Sequence, residues 1–164
     1  MKKLGKFLMV AVMAMASYSA SAALEPQWSK GTFLLNADLG LGPAGGSVSG
    51  DYVLVDQWWK GHFTVGGELV LGFPFETGVA VGLTPRASYG LNITPEFEVH
   101  AGSETGLGIK TFENGAGDFE TSVFVLWANF IGCRYFFNDS FSVLGEVGYS
   151  GWYPSVRAGV SFKF

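Results

Sequence analysis

Apolar and polar residues alternate along most of the chain, and helical spacing is absent. At the C-terminus Val156, Ala158, Val160, Phe162 and Phe164 fall on one face, with Arg157, Gly159, Ser161 and Lys163 on the other. The segment before it sets Phe141, Val143, Gly145, Val147 and Tyr149 against Ser142, Leu144, Glu146, Gly148 and Ser150. Towards the N-terminus, residues 121–137 are apolar on both faces. Residues 96–110 set Phe97, Val99 and Ala101 against Glu98, His100, Gly102 and Glu104. Residues 79–93 set Val81, Leu83, Ala87, Tyr89 and Leu91 against Gly82, Thr84, Arg86, Ser88 and Gly90. Residues 62–73 set Phe63, Val65, Leu69 and Leu71 against Thr64, Gly66, Glu68 and Val70. Residues 51–59 carry the weakest pattern, and residues 32–41 set Phe33, Leu35, Ala37 and Leu39 against Thr32, Asn36 and Asp38. Gly, Pro, Asn and Asp punctuate these runs, so the pattern predicts eight strands. Pro85 within a strand removes a ladder donor, and a bulge or distortion is expected there.

Composition raises the question that parity answers. The chain of 164 residues is 48% hydrophobic and 15% charged, with a mean hydropathy of +0.28 and 24 Gly. Soluble domains average about 25% charge. Yet the longest apolar run, residues 7–16, falls short of the ~18 residues of a membrane helix. Two explanations remain: a buried soluble core, or a membrane barrel whose lipid face is spread over alternate positions. Eight strands enclose a space just wide enough to be filled by side chains. Gly, Ser, Thr and a few charges fit that space, whereas rows of Phe, Tyr and Leu do not. The apolar face therefore points outward, and closure pairs the backbone groups that lipid cannot satisfy. The expected fold is all-β, an eight-stranded antiparallel up-and-down transmembrane β-barrel. With a formal charge of −4 and no Lys/Arg cluster after the N-terminus, nucleic acid is not an expected partner.

The first residues read as an export signal. Lys2, Lys3 and Lys6 precede the apolar run, and Ala20-Ser21-Ala22 is a small-x-small cleavage site. Residues 1–22 are the expected signal peptide, with a cut after Ala23 as the alternative, and 23–164 the barrel domain. Without Lys2, Lys3 and Lys6, seven basic residues face fourteen acidic ones, a formal charge of −7. No Cys follows the cut, so the signal is not that of a lipoprotein, and Cys133 alone cannot form an intramolecular disulfide.

Threading eight strands from an N-terminus on the periplasmic side places aromatics in two belts. Trp58, Trp59, Phe63, Phe97, Tyr135, Phe137, Phe141 and Phe164 come near the periplasmic edge. Phe73, Phe75, Phe112, Trp127, Tyr149, Trp152 and Tyr153 come near the outer edge. Membrane interfaces favour such girdles.

Residues 132–139 (Gly-Cys-Arg-Tyr-Phe-Phe-Asn-Asp), 141–149 (Phe-Ser-Val-Leu-Gly-Glu-Val-Gly-Tyr) and 158–164 (Ala-Gly-Val-Ser-Phe-Lys-Phe) resemble the end of small outer-membrane barrels of the OmpA/OmpX-like superfamily, particularly Bacteroidetes-type forms. The resemblance implies the outer membrane of a Gram-negative cell, with outer-membrane lipids as partners. It also implies that Val160, Phe162 and Phe164 form the C-terminal signal read by the outer-membrane assembly machinery. The superfamily spans stabilising barrels, adhesins, channels and a few lipid-modifying enzymes, so resemblance does not fix activity.

The inward parity collects Asp38, Glu68, Arg86, Glu98, Glu104, Lys110, Arg134, Glu146, Arg157 and Lys163, five acids and five bases. Charges in a narrow lumen must pair. A polar network of Asp38, Glu68, Arg86, Glu98, His100, Arg134, Glu146 and Arg157 is therefore expected, centred on Glu146, Arg134 and Arg157. His100 with an acid and Ser103 would suggest a hydrolase, as in lipid-A deacylases of this fold, but Ser103 has the opposite parity. His62 lies near a turn with no evident partner, and two His and one Cys make no metal site. The Gly-rich residues 40–45 match a dinucleotide fingerprint only in spacing, and residues 42–50 read as an outer loop. The other outer connections, 74–77, 111–120 and 151–154, are short, which disfavours binding by large loops. The functional reading is a structural envelope barrel with a side-chain-plugged lumen, without cofactor or catalysis. A narrow channel for ions or small solutes is the alternative, and a lipid-modifying enzyme ranks below both.

Overall fold

The computed structural model describes residues 28–41, 44–73, 78–113, 117–149 and 156–164. The expected signal peptide, Phe75, Trp152 and Tyr153 lie outside the described residues.

Among the described residues eight strands close into one barrel: β1 Phe33–Leu41, β2 Ala44–Trp58, β3 Gly61–Phe73, β4 Gly78–Thr94, β5 Phe97–Glu113, β6 Phe119–Asn138, β7 Phe141–Tyr149 and β8 Val156–Lys163. Each strand pairs antiparallel with its neighbour in sequence, and β8 returns to β1, with Leu35 opposite Phe162 and Ala37 opposite Val160. Phe33 and Phe164 exchange backbone hydrogen bonds of 3.1 and 2.9 Å and finish the closure. No described helix is long and apolar enough to cross a membrane, which bears on helices and not on strands.

Side-chain direction follows the parity of the sequence. Phe33, Leu35 and Leu39, Leu69 and Leu71, Val81 and Leu83, Val143 and Val147, and Phe162 and Phe164 are exposed on the outer wall. Asn36, Asp38, Glu68, Arg86, Glu98, Glu146 and Arg157 are buried inside. This is the reverse of a soluble barrel, and it defines the fold as a transmembrane one.

The end where β1 starts and β8 finishes, the terminal end, is built from tight turns. Trp59 and Lys60 join β2 to β3 with φ of 51° and 69°. Both residues thus take the left-handed conformation that a two-residue hairpin turn demands and that Asn-Gly adopts more easily. Tyr89 braces the turn by donating to the carbonyls of Trp58 and Trp59 at 2.7 and 3.0 Å. Between β6 and β7, the Asn138 side-chain oxygen accepts from the Ser140 amide at 2.9 Å. Register shifts between Val53 and Trp58, between Asn92 and Thr94, and between Phe136 and Asn138 all lie near this end.

The opposite, far end departs from two expectations. Of the expected loop 42–50, residues 44–50 are strand: β2 starts at Ala44 and pairs with β1 as far as Gly40 opposite Gly45. The glycines there serve close packing, since a Cβ on Gly46 would press on the Asp38 carbonyl and the Leu39 side chain. Residues 111–120 are likewise mostly hairpin, because β5 runs to Glu113 and β6 begins at Phe119. At Pro85, in the middle of β4, the expected disturbance is a gap in the ladder and not a bulge. The β4–β5 register is the same at Leu83 opposite Leu107 and at Arg86 opposite Glu104, with Thr84 and Pro85 left out of that ladder. A tilted membrane strand needs about 9–11 residues. At nine residues β7 and β1 just meet this and β8, at eight, falls just short of it, while β4, β5 and β6, at 17, 17 and 20, run well past them.

Candidate functional site: the charged lumen

Alternation within each strand sends every second residue inward, and closure brings charges from distant strands together. Glu68 on β3 and Glu146 on β7 are each gripped by the same two arginines. Arg86 Nη1 donates to Glu68 Oε2 at 2.7 Å, and its Nη2 to Glu146 Oε1 at 3.2 Å. Arg157 Nη1 donates to Glu68 Oε1 at 2.6 Å, and its Nη2 to Glu146 Oε2. Two carboxylates and two guanidiniums thus form a ring of alternating charge across the lumen. The planar fork of Arg suits such bridging, because two donors leave one head in fixed directions. Phe130 lies inside the barrel beside this ring, with Arg86 4.5 Å and Arg157 5.8 Å from its centroid. The space for these groups comes from glycine. A Cβ on Gly132 would run into His100 and Glu146, and one on Gly102 into Phe130.

A second cluster lies nearer the terminal end. Arg134 Nη1 donates to Glu98 Oε1 at 2.7 Å, while its Nε reaches Ser161 at 3.2 Å. Asn36 receives Ser161 at 2.6 Å and donates to Ser49 and Asp51 at 2.9 and 2.8 Å. His100 joins the clusters, with Nε2 3.0 Å from Glu146 and Nδ1 3.2 Å from Glu98. Asp38 accepts from Ser47 at 2.8 Å and lies 3.9 Å from Arg157. Glu104 accepts from Thr84 at 3.3 Å.

This arrangement corrects the expected centre of the network. Arg134 holds Glu98, and the partner of Arg157 on Glu146 is Arg86. Arg134 takes Glu98 because the two stand directly opposite each other on neighbouring β5 and β6, whereas Arg86 reaches Glu146 across the narrow lumen from a strand that is not its neighbour. The expected balance of five acids and five bases also fails for the buried set. Among the described residues six carboxylates are buried, those of Asp38, Asp51, Glu68, Glu98, Glu104 and Glu146, against the guanidiniums of Arg86, Arg134 and Arg157. Lys110 is exposed, with its ammonium over the Phe112 ring, and Lys163 is half-buried.

Asp51 escaped the sequence reading because the strand containing it was cut at Gly50. The alternation Ser47, Ser49, Asp51, Val53 carries the missing signal, and all four are buried. His62 is buried 3.6 Å from Glu98, which gives it the partner the sequence did not show. Ser103 is exposed on the outer wall and donates to the Ala128 carbonyl at 3.3 Å, turned away from His100.

Of the expected girdle residues, Trp58, Trp59, Tyr135, Phe137, Trp127 and Tyr149 are exposed on the outside, while Phe63 and Phe97 are partly covered. Rings interlock at the terminal edge, Trp58 with Phe63 and with Tyr89 at 6.0 Å each, and Tyr135 with Phe137 at 5.2 Å. Phe112 lies at the far end but continues the inward parity of β5.

Fold and lumen together define an eight-stranded transmembrane β-barrel. Among solved structures, the N-terminal β-barrel domain of Pseudomonas aeruginosa OprF is similar over 84% of this chain and 100% of that one, with 18% identity and a TM-score of 0.57. A de novo designed transmembrane β-barrel is similar over 84% and 98%, with 12% identity and a TM-score of 0.54. Neisserial surface protein A is similar over 81% and 94%, with 17% identity and a TM-score of 0.50. No protein-family model matches the sequence. No curated protein matches it either.

Proposed function

We propose that the protein is an integral outer-membrane barrel of a Gram-negative cell, with a structural role in the envelope and a lumen closed by its own side chains. The observation that carries this reading is the ring of Arg86, Glu68, Arg157 and Glu146. Its members bridge opposite walls, and opening a path would separate buried charges, which is costly. The export signal at residues 1–22, the C-terminal Val160, Phe162 and Phe164, and the apolar outer wall support this location. In the same reading the outer wall contacts outer-membrane lipids, and the assembly machinery engages Phe164. Catalysis finds no support at His100, because Ser103 faces outward.

The excess of buried carboxylates favours one second reading, a narrow path for cations. Fractionation and liposome swelling test the proposal together. The protein is expected in the outer-membrane fraction, migrating faster on a gel unheated than heated. Liposomes containing it are expected to swell no faster in small sugars than empty ones. Recovery in the periplasm, or rapid swelling, would overturn it.

A further inference from the structure

Trp28 precedes the first strand, yet its side chain is among the most buried in the protein, 1% exposed. The chain is folded back to put it there. Thr32 donates to the Ser29 carbonyl at 3.0 Å in a β-turn, with Gly31 at φ +95° in the position that takes positive φ. Gly31 donates to the Val53 carbonyl and Lys30 to Asp56 Oδ2, each at 3.0 Å, fixing the turn to β2. The indole then enters the terminal end of the lumen. It packs with Leu34, Val53 and Phe136, edge-on to the Phe136 ring at 4.9 Å, and lies 6.0 Å from the His62 ring. Its N–H donates to Glu98. The Arg134 guanidinium and the Lys163 ammonium lie 5.7 and 5.2 Å from the ring centroid.

These groups match an indole part by part: a carboxylate for the N–H, cations for the negative π-face, and apolar walls for the edges. We propose that the terminal mouth of the lumen is a binding site for a flat aromatic ring bearing an N–H donor, and that Trp28 is its tethered occupant, a stopper that closes the lumen at this end. The inference rests on the closed-lumen reading above. It adds that closure at the terminal end depends on the segment before β1 and is reversible when that segment withdraws.

The test uses the full chain with Cys133→Ser, which removes the exposed thiol, and Asn92→Cys as reporter. Asn92 is buried on the inward face of β4, opposite Glu98, and its amide has no hydrogen-bond partner, so the change is mild. Labelling by a charged maleimide in micelles is expected to be slow in this parent. It should be about tenfold or more faster once Trp28→Ala is added. Millimolar indole should slow it again, and naphthalene, which lacks the donor, should do so less. Trp28→Phe keeps the ring contacts but loses the bond to Glu98, and should fall between. Heat-dependent gel mobility verifies folding in each case. Should Trp28→Ala not fold, Trp28→Phe must still label faster than the parent. Equal labelling in parent and folded Trp28 variants, or indifference of Trp28→Ala to indole, overturns the stopper. Conductance of the parent separates the two readings: a silent parent with equal labelling in the Trp28 variants removes the stopper and leaves the closed lumen standing, whereas steady conductance from the parent overturns both.

Discussion

Midway along the lumen, Arg86, Glu68, Arg157 and Glu146 hold one another across the barrel; towards the far end the same space is filled by Val70, Ala80, Leu126 and Ala128. In the first region each carboxylate oxygen of Glu68 and Glu146 has its own guanidinium partner. In the second, fit is by volume: Leu126 lies where a Cβ on Gly82 would be, and Phe124 where one on Gly108 would be. Charge pairs in a narrow lumen tolerate little substitution, because losing one member strands the others. Apolar filling tolerates exchange as long as volume is kept. The contrast shows a barrel closed twice, by pairing and by packing.

Substitutions matched between the two regions sharpen or break this contrast. Glu146→Leu leaves Arg86, Arg157 and His100 without their shared carboxylate and should cost about 3–5 kcal/mol. The check is the urea midpoint of unfolding in detergent, and an unchanged midpoint would remove the network from the account. Arg157→Lys keeps the charge but cannot bridge Glu68 and Glu146 with one planar head. A loss of about 1.5–3 kcal/mol is expected by the same measurement, the scale of a hydrogen bond to a charged group. On the apolar side Gly82→Ala pushes a methyl into Leu126, an overpacking that should cost about 1–3 kcal/mol. Pairing it with Leu126→Ala should recover part of that loss, which a double-mutant cycle reads directly. Leu126→Met conserves volume and should cost under about 1.5 kcal/mol. If Leu126→Met proved as damaging as Arg157→Lys, the two regions would not differ in kind.

Much of the wall was legible in the sequence, and the lumen less so. Alternation is a local property of a strand, so Glu68, Arg86, Glu98, Glu146 and Arg157 could be placed inside one residue at a time. Which of them touch is not local. Arg157 meets Glu68 from 89 positions away and Arg86 meets Glu146 from 60, across the lumen that forms when β8 closes on β1. Arg134 has an acidic residue on each neighbouring strand, Glu98 on β5 and Glu146 on β7, and the structure pairs it with Glu98, which stands directly opposite it. The Gly-rich start of β2 concealed the alternation that leads to Asp51, because glycines chosen for close packing look the same in sequence as glycines chosen for a loop. Trp28 had no periodic signal, since it acts from outside the sheet. Phe130 and Phe136 face inward from a segment that is apolar on both faces in the sequence, and Gly102 leaves room for Phe130.

Single-channel recording of the purified full-length protein in planar bilayers bears most directly on the closed lumen. The account predicts no steady conductance from the parent protein, and transient openings, if seen, that become more frequent in Glu146→Leu. Stable ohmic steps in the parent, unchanged by Glu146→Leu, would contradict it.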